Sequence, residues 1–421
     1  MIALQRKAVK KCRGGGVSPK LLELSTGKIK YLPPAKTTKT LNHVEGALVL
    51  FGEIVVVGAG FSGAVSARLL AEADRKVLVI ERLSHVGGHC YDYKNEHGIT
   101  VHQYGPHIFH TCEKVVWDFL NRFSAFRYYQ HRVLSYAQGS FYPFPINSDT
   151  INQVFGTGLN VTEIEDFLKK EIDKYSLDST IENFETAVIS QVGEHLYELF
   201  FKNYTIKQWE RDPKELSAEL ARRIPVRKNR DDRYFSDRYQ GIPERGYTTL
   251  IQKILDHPNI SVLTNTDYFS VRNLFSPSLT VYTGELDRYF DYQYGKLEYR
   301  SLELEFIHYD KQHYQPVATV NYPNDYDWTR ITEFKHFLDE TSDKTTVCFE
   351  YPKATGEPYY VVMNEENSKK REKYLTEVAK LEHSGDVYFV GRLGEYKYYN
   401  MDQVVLRAIQ KTQEWLKHFG N

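Results

Sequence analysis

Three glycines and one carboxylate supply the first recognisable chemistry in this chain of 421 residues. Gly58, Gly60 and Gly63 form the pattern GxGxxG, and Glu81 lies 18 residues after Gly63. In a dinucleotide site such glycines allow a tight turn, close approach to a pyrophosphate and close helix packing, while the acid binds ribose hydroxyls. The spacing therefore predicts a dinucleotide-binding site.

The elements that must position these residues follow the same order along the chain. Residues 54–57 and 77–80 are apolar runs typical of strands buried on both faces, and residues 64–73 are good helix formers. The helix would direct its first amides at the phosphates. This strand, helix, strand and acid favour a Rossmann-like α/β domain over a glycine-rich structural turn.

Composition narrows the class of protein. Lysine plus arginine (54) nearly balances aspartate plus glutamate (55), so we expect no nucleic-acid partner. The four cysteines contain no CxxC pair, which suits a cytoplasmic protein. No apolar run approaches the roughly 20 residues of a membrane span, so we expect a soluble protein.

Residues 1–52 stand apart from this pattern. They are basic, and Gly14 to Gly16 and Pro33-Pro34 would break any regular element. We expect a poorly ordered basic extension without an assigned function, and no signal peptide.

Histidines crowd the segment HQYGPHIFHT, where His102, His107 and His110 lie within ten residues. Their spacing does not fit one helix face, and Gly105-Pro106 rules out a continuous helix. We therefore predict no metal site.

The remaining chain predicts two further units. Residues 127–146 alternate as a hairpin around Gly139-Ser140. Residues 150–221 carry helical periodicity, with helices expected at 163–175, 181–192 and 194–202. Within the helical part, FFKNYTIKQW and ARRIPVR place aromatic rings near clustered arginines, as a nucleotide diphosphate would require. An aromatic core stripe and a solvated basic loop are the structural alternatives.

Several motifs together resemble those of bacterial UDP-galactopyranose mutases. They are GAGFSGA, GPHIFHT, YTIKQW, RIPVR, TRITE, EPYY and GRLGEYKYYNM. The first of them, with Glu81 and RLSHVGG, also resembles the FAD-binding half of amine oxidases. The resemblance spans essentially the whole chain beyond residue 52.

The resemblance implies an isomerase that interconverts UDP-galactopyranose and UDP-galactofuranose. Reduced FAD would be required without net redox change, because flavin N5 would form a covalent adduct with the sugar after displacing UDP. It further implies a role in supplying galactofuranose for cell-surface polysaccharide, a reductant such as NAD(P)H or a flavin reductase system, and possibly a homodimer.

The same resemblance assigns the site residue by residue. Catalytic roles fall to Arg223, Arg330 and His107. The substrate would contact Asn147, Phe200, Tyr204, Thr205, Trp209, Tyr234, Asn321, Tyr360, Tyr396 and Tyr398. FAD would contact Gly58, Gly60, Phe61, Ser62, Gly63, Glu81, Arg82, Gly88, His89, Gly105, His107, Gly391, Arg392, Asn400 and Met401.

The predicted fold is a Rossmann-like FAD-binding domain with an inserted helical bundle and an antiparallel β-sheet domain. The FAD-binding domain comprises residues 53–126, 246–290 and 384–421. The helical substrate domain spans residues 151–222. The sheet domain takes residues 127–150, 223–245 and 291–383.

Two departures from the family pattern stand out. Asn400 occupies a position where many members have aspartate, so a role that needs a carboxylate there is in doubt. His89 follows the glycine pair where asparagine is frequent.

Three other functions remain open at this point. The first is a mutase for another UDP-sugar, such as UDP-N-acetylgalactosamine. The second is an FAD-dependent amine oxidase-like enzyme, and the third is a flavin-binding module without turnover.

Overall fold

The computed structural model describes residues 30–32, 53–175, 181–223 and 225–419. Its strands are, in chain order, β1 (Lys30–Leu32), β2 (Ile54–Val57), β3 (Val77–Ile80), β4 (Asp92–Lys94), β5 (Thr100–His102), β6 (Phe109–Thr111), β7 (Phe126–Tyr128), β8 (Val133–Ala137), β9 (Ser140–Phe144), β10 (Tyr239–Pro243), β11 (Ile260–Leu263), β12 (Leu279–Tyr282), β13 (Tyr299–Tyr309), β14 (Thr319–Asn321), β15 (Arg330–Glu333), β16 (Thr345–Lys353), β17 (Tyr360–Val361) and β18 (Val387–Phe389).

Helices occupy much of the remaining chain. The α-helices are α1 (Phe61–Glu72), α2 (Lys114–Asn121), α3 (Ser148–Phe155), α4 (Val161–Asp173), α5 (Phe184–Val192), α6 (Glu194–Tyr197), α7 (Asn203–Trp209), α8 (Gly246–Leu255), α9 (Tyr268–Val271), α10 (Leu286–Tyr289), α11 (Lys335–Leu338), α12 (Glu365–Ser384) and α13 (Met401–Phe419). A π-helical turn, Glu198–Lys202, joins α6 to α7. Short 3₁₀ segments include Pro213–Glu215 and Ala218–Arg223.

A six-stranded sheet in the order β1-β11-β3-β2-β12-β18 forms the centre of the nucleotide-binding unit. Each of its pairings is parallel. The side chains of β2 and β3 are all buried, as their continuous apolar runs predict. Those of β11 and β12 are buried too, although each strand includes one polar residue, Ser261 or Thr280. Helices α1, α8 and α13 cover one face, and α12 covers the other. The predicted Rossmann-like fold is confirmed.

The helical insertion has its own core, built mainly from α3 to α7. The predicted helices at 163–175, 181–192 and 194–202 are present, with shifted boundaries. Asn160 and Asn183 set the starts of α4 and α5, because each side chain accepts hydrogen bonds from amides of the first turn. The last predicted helix continues through the π-helical turn into α7.

The second large sheet has the order β17-β13-β16-β15-β14-β8-β9. The predicted hairpin is its edge pair β8–β9, and Gln138 and Gly139 at the turn have φ of 48° and 77°. Two successive residues with positive φ match the twist of a tight hairpin. The sheet departs from the predicted antiparallel pattern at one pairing, since β8 and β14 run parallel.

One segment differs from its prediction. Lys30–Leu32, inside the expected poorly ordered extension, pairs with Ser261 to Leu263 as the edge strand of the parallel sheet. Residues 1–29 and 33–52 lie outside the described residues. Among the described helices, none is both long enough and apolar enough to cross a membrane.

Candidate active site

The first turn of α1 opens onto a cavity that its glycines help to shape. Gly58 has a φ of 99°, and a Cβ at Gly63 would lie 2.0 Å from the carbonyl oxygen of Gly58. Gly60 precedes α1 without a side-chain cap, and the first turn carries no acid. The first amides and the positive end of the helix are therefore available to an anion.

Glu81 ends β3 beside this turn. Its Oε2 accepts a hydrogen bond from the Ala59 N–H at 2.7 Å, and its Oε1 accepts one from the Leu83 N–H at 2.8 Å. Burial raises the pKa of Glu81 despite these amide donors. Each oxygen retains a second lone pair, so the carboxyl can still accept a ribose hydroxyl.

The second glycine loop lies directly against the first. A Cβ at Gly88 would lie 3.2 Å from the Cα of Gly60. Arg82 and His89 both contact the carboxylate of Glu357, with Arg82 as an ion pair and His89 Nε2 at 3.2 Å. Although burial raises the pKa of Glu357, the hydrogen bond from His89 and the charge of Arg82 lower it overall. This cluster lines the cavity beside the phosphate turn.

His107 occupies the inner wall of the same cavity. Its Nδ1 lies 2.8 Å from the Gly105 carbonyl oxygen, which makes Nδ1 the donor and leaves Nε2 unprotonated. Its backbone N–H donates to His102 Nδ1 at 3.0 Å. Burial lowers the pKa of both histidines to about 3, so both rings are neutral. The three-histidine segment thus orients one neutral imidazole at the cavity.

Arg392 reaches the cavity from the loop after β18. Its Nε and Nη2 donate to the Tyr399 carbonyl at 3.2 and 2.7 Å, and its Nη1 donates to the Tyr359 carbonyl at 3.0 Å. The preceding Gly391, with a φ of 100°, lies so close to Ser62 that a Cβ would be 2.4 Å from its hydroxyl. These contacts fix a cation at the far end of the cavity.

The start of α13 closes that end. Met401 lines the cavity, and its sulfur accepts a contact from Cys90 Sγ at 3.7 Å. The backbone N–H of Asn400 donates to Gln403 Oε1 at 2.9 Å. Asn400 therefore lies directly before the first residue of α13.

A second cluster lies on the seven-stranded sheet. Asn321, Arg330 and Glu350 are direct partners on neighbouring antiparallel strands, so their side chains share one face. Arg330 Nε donates to Glu350 Oε2 at 2.7 Å, and Arg330 Nη2 lies 3.5 Å from the Tyr360 hydroxyl. Glu350 is fully buried, and its Oε1 has no hydrogen-bond partner among the described residues.

Stacked tyrosines connect this cluster to the cofactor cavity. The rings of Tyr360 and Tyr398 are 5.8 Å apart at an angle of 16°. The Arg392 guanidinium carbon lies 5.8 Å from the first ring centroid and 5.1 Å from the second. Arg330 and Arg392 are thus separated by little more than one aromatic pair.

Two more predicted tyrosines join this cluster. Burial raises the pKa of Tyr204 to about 12, although Arg330 opposes the shift, and Tyr234 and Tyr398 act on the same hydroxyl. Tyr234 also lies 5.6 Å, between ring centroids, from His131. Thr205 is buried beside Tyr204 on α7. The YTIKQW motif therefore faces the sheet cluster through its tyrosine.

Other predicted substrate residues have different surroundings. Phe200 is 3% exposed and packs edge-on against Tyr142, so it belongs to the helical core. Asn147 is fully buried and caps α3, although its Nδ2 has no hydrogen-bond partner among the described residues. Trp209 packs on the helical core and lines a separate cavity with Arg300.

Tyr396, predicted to contact the substrate, lies in the core instead. It is 1% exposed, its hydroxyl donates to the Glu298 carbonyl at 2.5 Å, and it accepts from the Val362 N–H at 3.2 Å. Because its ring and hydroxyl are both satisfied in the core, Tyr396 does not line the cleft. The side chain of Arg223 lies outside the described part of the chain, and only its backbone is placed, in a 3₁₀ segment.

Sequence reasoning missed the two acids that hold the arginines. Glu350 and Glu357 lie 20 and 275 residues from Arg330 and Arg82. A usable signal existed for Glu350, which is the one acid in the largely buried strand β16. A charge in such a strand requires a buried partner. No comparable signal marks Glu357.

Comparison with known proteins agrees with this geometry. The sequence model for UDP-galactopyranose mutase matches residues 199–398, and that for an NAD(P)-binding Rossmann-like domain matches residues 56–123. A probable UDP-galactopyranose mutase of Klebsiella pneumoniae is 39% identical over 87% of this chain and 96% of its own. A dTDP-fucopyranose mutase of Escherichia coli is 37% identical over 87% of this chain and 99% of its own length.

A solved structure supports the fold independently. The crystal structure of a reduced UDP-galactopyranose mutase superposes with a TM-score of 0.70 over 88% of this chain and 95% of that one, at 16% identity. At that identity the likeness concerns the fold, whereas the extended sequence identity to the curated relatives decides the family. The chain belongs to the UDP-galactopyranose mutase family of isomerases.

Proposed function

We propose that this protein interconverts UDP-galactopyranose and UDP-galactofuranose on bound, reduced FAD, without net redox change. The observation that carries the proposal is the contact between the Arg330 cluster on the seven-stranded sheet and the dinucleotide cavity. The tyrosine pair Tyr360 and Tyr398 lies between Arg330, a candidate diphosphate ligand, and Arg392 at the inner end of the dinucleotide cavity.

The residues of the cavity fit FAD. The uncapped start of α1 suits the pyrophosphate, and Glu81 suits a ribose. The inner end offers a fixed cation at Arg392, a neutral His107 and the apolar Met401, a set that suits a flavin ring able to carry negative charge. When bound and reduced, the flavin would supply, at N5, the nucleophile that this reaction needs.

The residues of this chain would then bind, orient and neutralise. Arg330 is aimed by the buried Glu350 and would bind the diphosphate, with Arg223 as its expected partner from the other side. Their charge would stabilise UDP as it leaves the sugar. Tyr204 would remain protonated at neutral pH, because its pKa is near 12, and could donate to phosphate.

His107 would serve as a fixed neutral group beside the ring. Its proton lies on Nδ1, bound to the Gly105 carbonyl, so Nε2 can accept a hydrogen bond. The low pKa means that it would not act as a general acid at neutral pH.

A second substrate deserves a direct test because the dTDP-fucopyranose mutase is nearly as similar to this chain as the UDP-galactopyranose mutase. That substrate differs in the base, in a ribose hydroxyl and at the sugar 6-position. UDP-N-acetylgalactosamine is a further candidate. In either case the cofactor chemistry and the arginine roles would be unchanged.

The decisive experiment incubates FAD-loaded protein anaerobically with UDP-galactofuranose, with and without dithionite, and separates products by chromatography. We expect conversion to the pyranose only in the reduced sample. Parallel reactions with the dTDP-fucose and UDP-N-acetylgalactosamine isomers rank the substrates by kcat/KM. A higher value for either would replace the galactose assignment. A matched aerobic reaction completes the test, because product formation that depends on oxygen would replace the mutase with an oxidase.

The cellular setting follows from the proposed reaction. A cytoplasmic location with NAD(P)H or a flavin reductase system would keep the cofactor reduced. The product would supply galactofuranose for a cell-surface polysaccharide. A homodimer is the assembly we would test first, by light scattering.

A further inference from the structure

Two histidines and one carboxylate meet on the seven-stranded sheet, away from the residues assigned to substrate and cofactor. His313 comes from the loop between β13 and β14, Glu333 ends β15, and His336 lies on α11. One candidate ligand atom from each lies within 4.8 Å of the other two. Glu333 and His336 are three residues apart, whereas His313 comes from a separate loop.

The distance from each histidine to a Glu333 oxygen is close to the separation of two ligands around one small cation. His336 Nε2 lies 3.2 Å from Glu333 Oε2, and His313 Nδ1 lies 3.6 Å from Glu333 Oε1. Nitrogen and oxygen atoms bound tetrahedrally to Zn²⁺ at 2.0–2.1 Å are about 3.3 Å apart. The two imidazole rings are stacked, with centroids 4.9 Å apart at 28°. Small rotations of the two rings would bring three ligands onto one ion.

Glu333 is held for this role by its surroundings. It is fully buried and accepts hydrogen bonds from the backbone N–H groups of Tyr314 and Gln315 and from the Thr345 hydroxyl at 2.5 Å. A carboxylate that is charged and fixed by outer partners is typical of metal ligands.

Access comes from the histidine side. The side chain of His313 is 47% exposed, and that of His336 is 21% exposed, so an ion can enter and keep water as its fourth ligand. His336 Nε2 also lies 3.3 Å from the Gln315 carbonyl. In the metal-free protein Nε2 therefore carries a proton, and an incoming cation would take that proton's place.

We propose that His313, Glu333 and His336 form a divalent-metal site that prefers Zn²⁺ and is distinct from the isomerase site. The ion would tie the β13–β14 loop and α11 to the end of β15. Since β15 begins at Arg330, bound metal would brace the strand that carries this residue. The proposal is independent of which nucleotide sugar the enzyme uses.

A plain hydrogen-bonded cluster is the competing explanation, and calorimetry separates the two. FAD-loaded protein without a purification tag is treated with chelator and titrated with Zn²⁺. We expect one equivalent to bind, and His313→Gln and His336→Gln each to weaken binding at least about tenfold. Glu333 is left intact, because its replacement would also free the Tyr314–Gln315 amides.

His97 and His308 provide the matched control. Their rings also meet, with centroids 5.1 Å apart, but no buried carboxylate of the described residues joins them. His308→Gln should leave Zn²⁺ binding unchanged. X-ray absorption at the zinc edge should show two imidazoles in the wild type and one in either ligand variant. No saturable binding, or an equal loss in the His308 variant, would overturn the site.

Discussion

The ion pair between Arg330 and Glu350 offers the sharpest test of the proposed function, because its structural and binding roles can be separated. Arg330 donates to Glu350 at 2.7 Å, Glu350 is fully buried, and the Arg330 side chain is 25% exposed. Replacing Arg330 by Met leaves a buried carboxylate without its cation. Replacing both residues by Met leaves no charge behind.

The expected losses of folding stability and of catalytic rate can be estimated separately. Breaking a buried pair from one side costs about 3–5 kcal/mol of stability, whereas replacing both partners by apolar residues is often close to neutral. Losing a preorganised donor to the developing charge costs about 2.7–4 kcal/mol of transition-state stabilisation, or 10²- to 10³-fold in rate. Arg330→Met should therefore lose both stability and activity.

The double variant, Arg330→Met with Glu350→Met, should regain most of the stability and none of the activity. Glu350→Gln, which keeps an acceptor for Arg330, should lose only about tenfold in kcat/KM. Urea unfolding gives the stability, and anaerobic turnover of UDP-galactofuranose by dithionite-reduced enzyme gives the activity. Wild-type kcat/KM in the double variant would refute the role of Arg330 in binding substrate.

Three further predictions test the cofactor loop, a buried histidine and a helix anchor. Gly63→Ala places a Cβ 2.0 Å from the Gly58 carbonyl oxygen and should abolish FAD retention, measured as flavin absorbance per protein. The control Gly158→Ala, which has open space around its Cβ, should retain FAD. Burial lowers the pKa of His131 to about 3, so only the unfolded chain takes up its proton between pH 6.5 and pH 3, and folded stability falls as pH falls through that window. The unfolding free energy of His131→Phe minus that of the wild type should therefore rise by about 2 kcal/mol when the pH is lowered from 7 to 5, as measured by urea unfolding. The same difference at both pH values would contradict this. Lys207 donates to three backbone carbonyls, at 2.5, 3.0 and 3.0 Å. Lys207→Met should therefore lower the free energy of unfolding, measured in urea, by about 1.5–3 kcal/mol. A smaller decrease would show that these hydrogen bonds contribute little.

The nucleotide-binding unit could be predicted from sequence because its signals are local. The strand runs, the glycines and Glu81 lie within 29 consecutive residues, and each has a backbone reason to be where it is. The presence of the helices could also be predicted from the sequence, but the residues at which they begin could not. Asn160 and Asn183 cap α4 and α5, and their side-chain bonds outweigh the periodicity that suggested later or earlier starts.

The site beyond that unit could be predicted only as a set of residue types. Tyr396 and Tyr398 are two positions apart, yet one is in the core and the other is stacked on Tyr360. Tyr396 has a φ of 43°, and this unusual backbone turns its ring inward. Which of two neighbouring tyrosines faces a cleft is decided by such local geometry, which composition does not encode.

The loop that carries His107 shows how the two halves of the site are linked. The Gly105 carbonyl fixes the His107 ring, which faces the cofactor cavity. A Cβ added at Gly105 would lie 3.9 Å from Glu350 Oε2, so this glycine faces the acid that aims Arg330. The Gly105 carbonyl therefore fixes the imidazole, and Glu350, which this glycine faces, directs the guanidinium, so one short loop and one buried acid hold both halves of the site.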